Sequence, residues 1–538
     1  MNQEESKRID LACTLAAERI ALKGSDDVFR PPIFAQSMES LVIQQNPQRF
    51  QGQAKEKAVK FLKVADLTKI RIGQARRGLV LKDASSFRLC AWIDPFDAVN
   101  YLSAAYLLFP QIEAARIAKE RGIVHSHRMS SDQNGIFDQE YGYKSFRAKS
   151  AEISEQKVGK WKVVTDIANF FDRIGNHSLE NHLTDIGCDK RYVKLIREML
   201  YFWAGDRRSF GIPVGSDASR ILSEAALIDV DAKLHKNGVN YIRYVDGFRI
   251  FADSRAEALK HLEILTRLLA DEGLSLNSRK TDVFKILSPE EIASIANRFA
   301  DGEHEVIDID EKIEVRERVR ISGRSTISRF YKEPGKEALR SLQQLEKETI
   351  IQDFEESSDN EVEQHIKLLM KFFVYVDQDV EILSRLIQRR ITSIYYIADA
   401  LTKEFSRFSD EKREEIKATL FSAEDWLKCA SPIQVPILRI SGTQGFSEPN
   451  FIQTIVDEHR QIDSMLFFRE AITLGASCLD RSRLRHLARD VFPDVPTFVQ
   501  RSIYQIIFQH KDLSDDEKRP LLKNMKQHSN DWFIENFA

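Results

Sequence analysis

The sequence predicts an α+β body followed by an all-helical C-terminal region, and three observations predict it. From about residue 76 to 330, short apolar strands alternate with helices, and glycine turns are frequent. Two strand-like runs in that stretch carry an aspartate at an end or a turn: Trp161-Lys-Val-Val-Thr-Asp166 and Tyr241-Ile-Arg-Tyr244-Val245-Asp246-Gly247-Phe248-Arg-Ile250-Phe251. After Pro334-Gly335 a helical period takes over.

Taken in order, residues 1–75 read as a helical segment broken by Pro and Gly. Leu11, Leu15, Ile20 and Leu22 follow a helical stripe that Pro31-Pro32 stops. Residues 76–330 form the α+β body, interrupted by polar stretches around 130–142 and 301–314. Residues 331–538 are expected to form helices. Val362, Ile366, Leu369, Met370 and Phe373 mark one apolar face, and Ile382, Leu383, Leu386 and Ile387 the next. The segments around Pro432/Pro436 and Pro493/Pro496 each open an apolar helix with prolines, and Val499, Ile503, Ile506 and Ile507 continue the second. Stacked helical hairpins of the HEAT-like kind are therefore expected, with an irregular period. The acidic run 355–363 reads as a solvated loop.

A chain of 538 residues is too long for one ordinary domain, and 43 % hydrophobic residues suffice for real cores. The net charge of -3 gives no global basic field, so a nucleic-acid site has to be a local groove of Lys and Arg. The five cysteines (Cys13, Cys90, Cys188, Cys429, Cys478) form no C-x-x-C pair, which argues against zinc ribbons and redox motifs. Isolated thiols fit a reducing cytosol. The polar start of the chain is not a signal peptide, and no run of about 18 apolar residues exists to span a membrane. A cytoplasmic location is the expectation.

Three segments carry candidate chemistry. In the first, Asp166 ends a strand and is followed by Phe170-Phe171-Asp172; alone, such an Asp is a turn former or a helix cap. The second, Phe210-Gly-Ile-Pro-Val214-Gly215-Ser216-Asp217-Ala218-Ser219, precedes an apolar helix. Its glycine permits close backbone approach by a ligand, and Ser216, Asp217 or Ser219 could cap the helix. In the third, Asp246-Gly247 between strand formers is a hairpin signal in its own right. Together, and in this order, they meet the demand of nucleotidyl transfer. Two carboxylates on adjacent strands converge on a pair of divalent cations, which activate a 3′-hydroxyl and stabilise the leaving pyrophosphate. Mg²⁺ or Mn²⁺, hard and oxygen-seeking, needs few protein carboxylates because the nucleotide supplies further oxygens.

These segments resemble the palm motifs of reverse transcriptases. Asp166 with Phe170-Phe171-Asp172 resembles the first, Gly211-Ile-Pro-Val-Gly215-Ser216 the second, and Tyr244-Val245-Asp246-Gly247 the Tyr-x-Asp-Asp box. Gly273-Leu-Ser-Leu-Asn-Ser-Arg279-Lys280-Thr281 resembles the motif whose lysine lies near the incoming phosphates. Arg88, Asp94-Pro95-Phe96-Asp97 and His125-Ser126-His127-Arg128 resemble parts of the fingers. With the helical C-terminal region, the chain resembles the bacterial abortive-infection, or defence-associated, reverse transcriptases. The resemblance implies right-hand fingers and palm and a DNA polymerase acting in phage defence. Some members make DNA without a template, sometimes from a protein hydroxyl, and several form homo-oligomers.

It also implies roles. Asp166 and Asp246, with the Ile167 carbonyl, would hold the metal, and Lys280 would neutralise or protonate the leaving pyrophosphate. Arg88 would clamp the triphosphate of a dNTP, Phe171 would exclude a ribose 2′-hydroxyl, and Gly215-Ser216 would approach the nucleotide. The partners implied are dNTPs, a single-stranded DNA product and an RNA or DNA template. Each residue has a plainer reading: core packing for Phe171, a surface ion pair for Arg88, a solvated lysine for Lys280. His125 and His127 lack Cys or Glu at ligand spacing and read as packed or solvated.

Two departures stand out. Gly247 replaces the second acid of the Tyr-x-Asp-Asp box, with Asp253 too far along the outgoing strand to substitute. Val214 replaces the glutamine that helps hold the templating base pair, and an apolar side chain makes no such hydrogen bond. The second change fits a polymerase that reads its template loosely or not at all. The first supports an alternative, a degenerate polymerase fold acting as a nucleic-acid-binding or sensing module. The basic and aromatic pairs Arg389, Arg390, Tyr395 and Tyr396, and the run Arg481, Arg483 and Arg485, read first as solvated helix faces and are also candidates for a groove guiding single-stranded product.

Overall fold

The computed structural model describes residues 3–23, 38–63, 71–73, 75–83, 86–130, 135–204, 209–288, 312–321, 325–334, 336–357, 362–443, 445–458, 460, 464–475, 478–529 and 531–536. The chain divides into two compact units. The first comprises residues 1–29, 43–77 and 90–305, and the second 30–42, 78–89 and 306–538.

A four-stranded antiparallel sheet stands at the centre of the first unit, in the order Asn240–Tyr244, Gly247–Ala252, Trp161–Asp166, Asp282–Lys285. Period-2 alternation sorts its faces. Val163 and Thr165 pair with Ile250 and Phe248, whose other neighbours are Tyr241 and Arg243, and all six are buried. Val164 and Asp166 lie on the opposite face, paired with Arg249 and Gly247. The helix Arg255–Asp271 packs on this sheet, capped by Ser254, which accepts from the Glu257 N–H at 3.1 Å.

The helix Pro95–Ala115 starts at an Asp94 cap with proline in its first turn. Its run Ala98–Phe109 is apolar nearly all round, so it has no solvent face to offer. Helices Gln3–Lys23, Pro47–Lys63, Lys190–Ala204 and Asp217–Ala225 surround it accordingly.

In the second unit, alternate helices stack in series: Val362–Tyr375, Ile394–Lys403, Ser431–Ser441, Met465–Leu474 and Thr497–Gln509. They bury apolar stripes in two hydrophobic clusters, and Ile394–Lys403 and Ser431–Ser441 contribute to both, the arrangement by which helical repeats share a continuous core. Pro432 lies in the first turn of its helix and Pro496 caps its own, as expected, but Pro436 falls inside the helix Ser431–Ser441. The acidic run begins within the helix Lys347–Glu356, and residues 358–361 lie outside the described residues. Of the residues considered for a product groove, Tyr395 is buried, Arg389 bonds the Glu355 carbonyl, and Arg483 and Arg485 pair with Asp457 and Glu517. Strands Lys312–Ile321 and Ser325–Pro334 form an antiparallel hairpin. Among the described residues, no helix is long and apolar enough to cross a membrane.

Candidate active site

Asp166 is the last residue of the central strand and pairs with Gly247, so it stands beside the hairpin tip that carries Asp246. The Ile167 N–H donates to the Asp246 carbonyl at 3.0 Å, and the Asn277 N–H donates to the Asp166 carbonyl at 2.8 Å. The strand end is thus tied on both sides, and the two acid-bearing residues are neighbours across the sheet. The Asp246-Gly247 pair predicts the hairpin turn at those two residues. In the structure Tyr244 pairs with Gly247, so the two-residue loop is Val245-Asp246 and the turn sits one residue earlier. Val245 has φ +55°, a left-handed conformation at the turn position where glycine is usual. For a β-branched residue this costs on the order of 1–3 kcal/mol, so something in the fold has to hold it.

Gly247 is under no such constraint. A Cβ built there meets nothing nearer than the Tyr244 carbonyl oxygen at 3.4 Å, an ordinary contact. Asp253 lies beyond the far end of the same strand, where Trp161 pairs with Ala252, and is 3.5 Å from Lys160. It cannot stand in for an acid at position 247.

Lys280 ends the 3-10 turn Ser278–Lys280, and its ammonium donates to the Asp166 carboxylate at 2.7 Å. Lys280 is 60 % exposed, so the pair adds little to stability; its significance is a cation placed on this acid. Behind it, the Thr165 and Thr281 hydroxyls are 2.7 Å apart. Arg249, which the sequence reading passed over, shares the face of Asp166 and stacks its guanidinium 5.4 Å from the Phe146 ring centre. Burial lowers its pKa, and Tyr143 and Asp166 push it back up. Only the strand register reveals it.

The first and second motifs are joined by backbone. Phe171, half-buried with its ring 5.5 Å from that of Phe170, accepts the Ile212 N–H at 2.9 Å through its carbonyl, and Ile174 accepts that of Gly211 at 2.8 Å. Gly211, at φ +94°, is required by this approach, because a Cβ would lie 3.3 Å from the Asp172 carbonyl oxygen. Gly215 is also left-handed, at φ +121°. Of the three candidate caps, Ser216 takes the role, accepting the Ser219 N–H at 3.1 Å at the start of the helix Asp217–Ala225. Asp217 is buried and pairs with Arg19 and Arg220, and Ser219 meets Tyr101 at 3.1 Å. Val214 is buried. Arg88 falls on the strand Ser86–Trp92, and its side chain lies outside the described residues.

Residues 117–333 match the family described as "Reverse transcriptase (RNA-dependent DNA polymerase)". The chain carries a reverse-transcriptase domain. That domain is of the nucleotidyltransferase, DNA polymerase kind. No curated protein matches the sequence. Among solved structures, the chain is similar to apo telomerase from Candida tropicalis truncated from its C-terminal domain (12 % identity, TM-score 0.30), covering 41 % of this chain and 51 % of that one. It is also similar to telomerase from Candida albicans in complex with a TWJ fragment of telomeric RNA (12 %, 0.31, covering 81 % and 70 %). Apo telomerase from Candida tropicalis gives 10 % and 0.32, covering 85 % and 74 %. At TM-scores near 0.3 these likenesses carry no weight. The chain spans about half the length of the first of them.

The reverse-transcriptase domain presents oxygens that suit a hard divalent cation: two carboxylates and the Ile167 main-chain carbonyl, on which none of the described hydrogen bonds ends. The Lys280 ammonium at Asp166 is a further sign that this position accommodates positive charge.

Beneath the hairpin lies a charge network that the sequence reading missed. Glu224 is fully buried and bonded by Arg116 at 2.8 Å, Arg243 at 3.0 Å and the Ser126 hydroxyl at 2.5 Å. Arg243 also holds Asp231 at 2.6 Å, and Glu113 joins Arg116 and Arg128 at 3.0 Å each. Three acids thus meet three arginines. Burial alone would raise the Glu224 carboxyl, but Arg116 and Arg243 outweigh it and hold it far below the usual range. His127 is buried against Glu224, and burial lowers its pKa against the opposing pull of that acid; His125 bonds Ser145 and the Gly122 carbonyl. Among the described residues, neither histidine belongs to a group of three or more side chains that could ligate a metal. The available signal was three acids, Glu224, Asp229 and Asp231, in a largely apolar run, of which Glu224 and Asp231 are buried.

Proposed function

We propose that the chain makes DNA from dNTPs at a two-metal site built on Asp166 and Asp246, in the setting of bacterial antiphage defence. The observation that carries this reading is the pairing of Asp166 with Gly247, which sets both acids at adjacent strand ends with Lys280 on one of them. Asp166, Asp246 and the Ile167 carbonyl would hold Mg²⁺ or Mn²⁺, which would supply Lewis-acid activation of the 3′-hydroxyl and charge stabilisation for the leaving pyrophosphate. Lys280 moves from Asp166 to the pyrophosphate oxygens and neutralises them. Arg88 and Arg249 add phosphate-binding charge. Phe171 blocks a ribose 2′-hydroxyl, and the Gly215-Ser216 turn lets backbone approach the nucleotide. Tyr143, exposed and 5.5 Å from Tyr244, offers a ring for base stacking at the edge of a cavity of about 570 Å³.

Val214, apolar and buried where the resemblance places a base-pair donor, supports synthesis that reads a template loosely or not at all. The boundaries at residues 75 and 330, the cytoplasmic location and a homo-oligomer braced by the helical region belong to the same proposal. The defence role rests on the combination of these motifs with a long helical region.

The test is incubation of the purified protein with Mg²⁺ and four dNTPs, with no nucleic acid, beside Asp166→Ala and Asp246→Ala. DNase-sensitive product from the wild type alone is expected. Product only with a primed RNA or DNA template would replace the template-free reading with a templated one. Absence of product under every condition would favour the binding module, for which the missing acid at 247 speaks.

A further inference from the structure

We propose that Arg243 is a positioning residue for the metal ligand Asp246. From beneath the hairpin its guanidinium grips the Val245 carbonyl and so holds the left-handed turn that presents the carboxylate. The inference rests on the two-metal reading above.

Arg243 is wholly buried on the face of the sheet opposite Asp166. One terminal nitrogen donates to the Val245 carbonyl at 2.7 Å; the other donates to Asp231 at 2.6 Å and Glu224 at 3.0 Å, while its Nε reaches Asp231 at 3.1 Å. The Tyr241 hydroxyl donates to Asp231 at 2.9 Å and fixes that acid. Every nitrogen of the planar fork is therefore used, and two of the three are anchored on buried acids.

Stability alone does not account for this. Buried ion networks are often no better than apolar side chains of the same volume. What an apolar residue cannot do is donate to the carbonyl of a strained turn. Val245 needs such a restraint, since L residues avoid φ +55°. Asp246 is the next residue, and its own carbonyl is held by the Ile167 N–H. The two bonds fix the peptide units on either side of the ligand. Through Glu224 the clamp also reaches the helix that Ser216 caps, so the metal ligand and the nucleotide-approach turn share one rigid support.

The test is a double-mutant cycle on the full chain, read as Mn²⁺ binding by loss of the free-ion EPR signal, without dNTP. Arg243→Lys keeps a charge for Asp231 and Glu224 but lacks the fork that reaches the acids and the carbonyl together. It is expected to weaken Mn²⁺ binding about tenfold. In a Val245→Gly background, where left-handed φ carries no strain, the same change is expected to weaken it about twofold or less. In dNTP incorporation, Arg243→Lys should lower kcat at limiting Mn²⁺, recover at saturating Mn²⁺, and leave the dNTP KM unmoved. An equal loss in both backgrounds, or no loss in the first, overturns the proposal and leaves Arg243 a structural brace.

If Arg243→Lys does not fold, Asp231→Asn, which removes one anchor and keeps the guanidinium, goes through the same cycle with the same two outcomes. Mn²⁺ binding that Asp246→Ala abolishes, without product under any condition, sinks the polymerase reading and leaves the clamp standing. Product formation with no coupling sinks the clamp alone. Absence of any Mn²⁺ binding sensitive to Asp246→Ala overturns both.

Discussion

At position 247 the backbone asks for nothing that only glycine supplies: φ is not left-handed, and a Cβ has room. The missing acid is thus a chemical choice, and restoring it is sterically open. Gly247→Asp is expected to fold normally and to lower the half-saturating Mg²⁺ concentration several-fold, by roughly 1 kcal/mol of added attraction. A titration of incorporation against Mg²⁺ measures this, and an unchanged midpoint would mean that position 247 does not face the ions. Phe171 is the second residue whose role is testable alone. Phe171→Ala should raise ribonucleotide incorporation relative to dNTP by about tenfold or more, the size of a relieved steric clash. Equal loss of both substrates would instead assign the ring to core packing beside Phe170.

Elements set these residues in place through backbone conformation. The short helix Phe170–Arg173 and the loop after it are bridged at Gly211, and Gly211→Ala should cost about 1–2 kcal/mol from the left-handed φ with an added close contact. A urea midpoint unchanged from wild type would show that the loop relaxes freely. The helix Asn176–Asp185 is tied to the end of Arg255–Asp271 by His182, whose Nε2 lies 2.8 Å from Glu272, with Asp229 at 4.0 Å from Nδ1. The hydrogen bond to Glu272, chiefly, raises the His182 pKa above its ordinary 6.5. That contribution to stability is fully present below pH 6.5 and is lost as pH rises through the raised value. The melting temperature should therefore fall across that window, and His182→Gln should flatten it; an identical slope in the variant would rule the pair out. The turn at Val245-Asp246 belongs to this scale as well. The Asp-Gly signal pointed one residue late, because strand pairing and a buried guanidinium, rather than local propensity, choose the turn.

At the scale of the whole chain, the helical unit has its own buried ion centre. Glu39 bonds Arg469 and, at 3.1 Å, Arg501, which in turn holds Asp531 at 2.7 Å. Burial would raise the Glu39 carboxyl, but Arg469 and Arg501 together hold it down at about 2, against an ordinary 4.5. A depressed acid stabilises above its unfolded value and loses that effect as pH falls through its folded one. Stability of this unit should therefore drop between about pH 4.5 and 2. Glu39→Gln should remove that portion of the slope and cost about 3 kcal/mol near neutrality by leaving buried arginine charge short of a partner. Denaturant unfolding of the helical signal at both pH values decides it, and a wild-type acid slope in the variant would contradict the assignment.

The sequence by itself determined the class of the fold, the reverse-transcriptase domain with its order of motifs, and the all-helical C-terminal region. These follow from local signals: alternation, hairpin and cap chemistry, and helical stripes within windows of about ten to eighteen residues. It also drew attention to Asp166, Asp246 and Lys280, which the fold brings to one strand end. Only the tertiary structure decided which charges go inside. Nothing local singles out Arg243 or Glu224 until Arg116, 108 residues from Glu224, closes the network. Burying a charge is governed by its partners and not by its own residue type, and partners that distant leave no periodic trace in the chain.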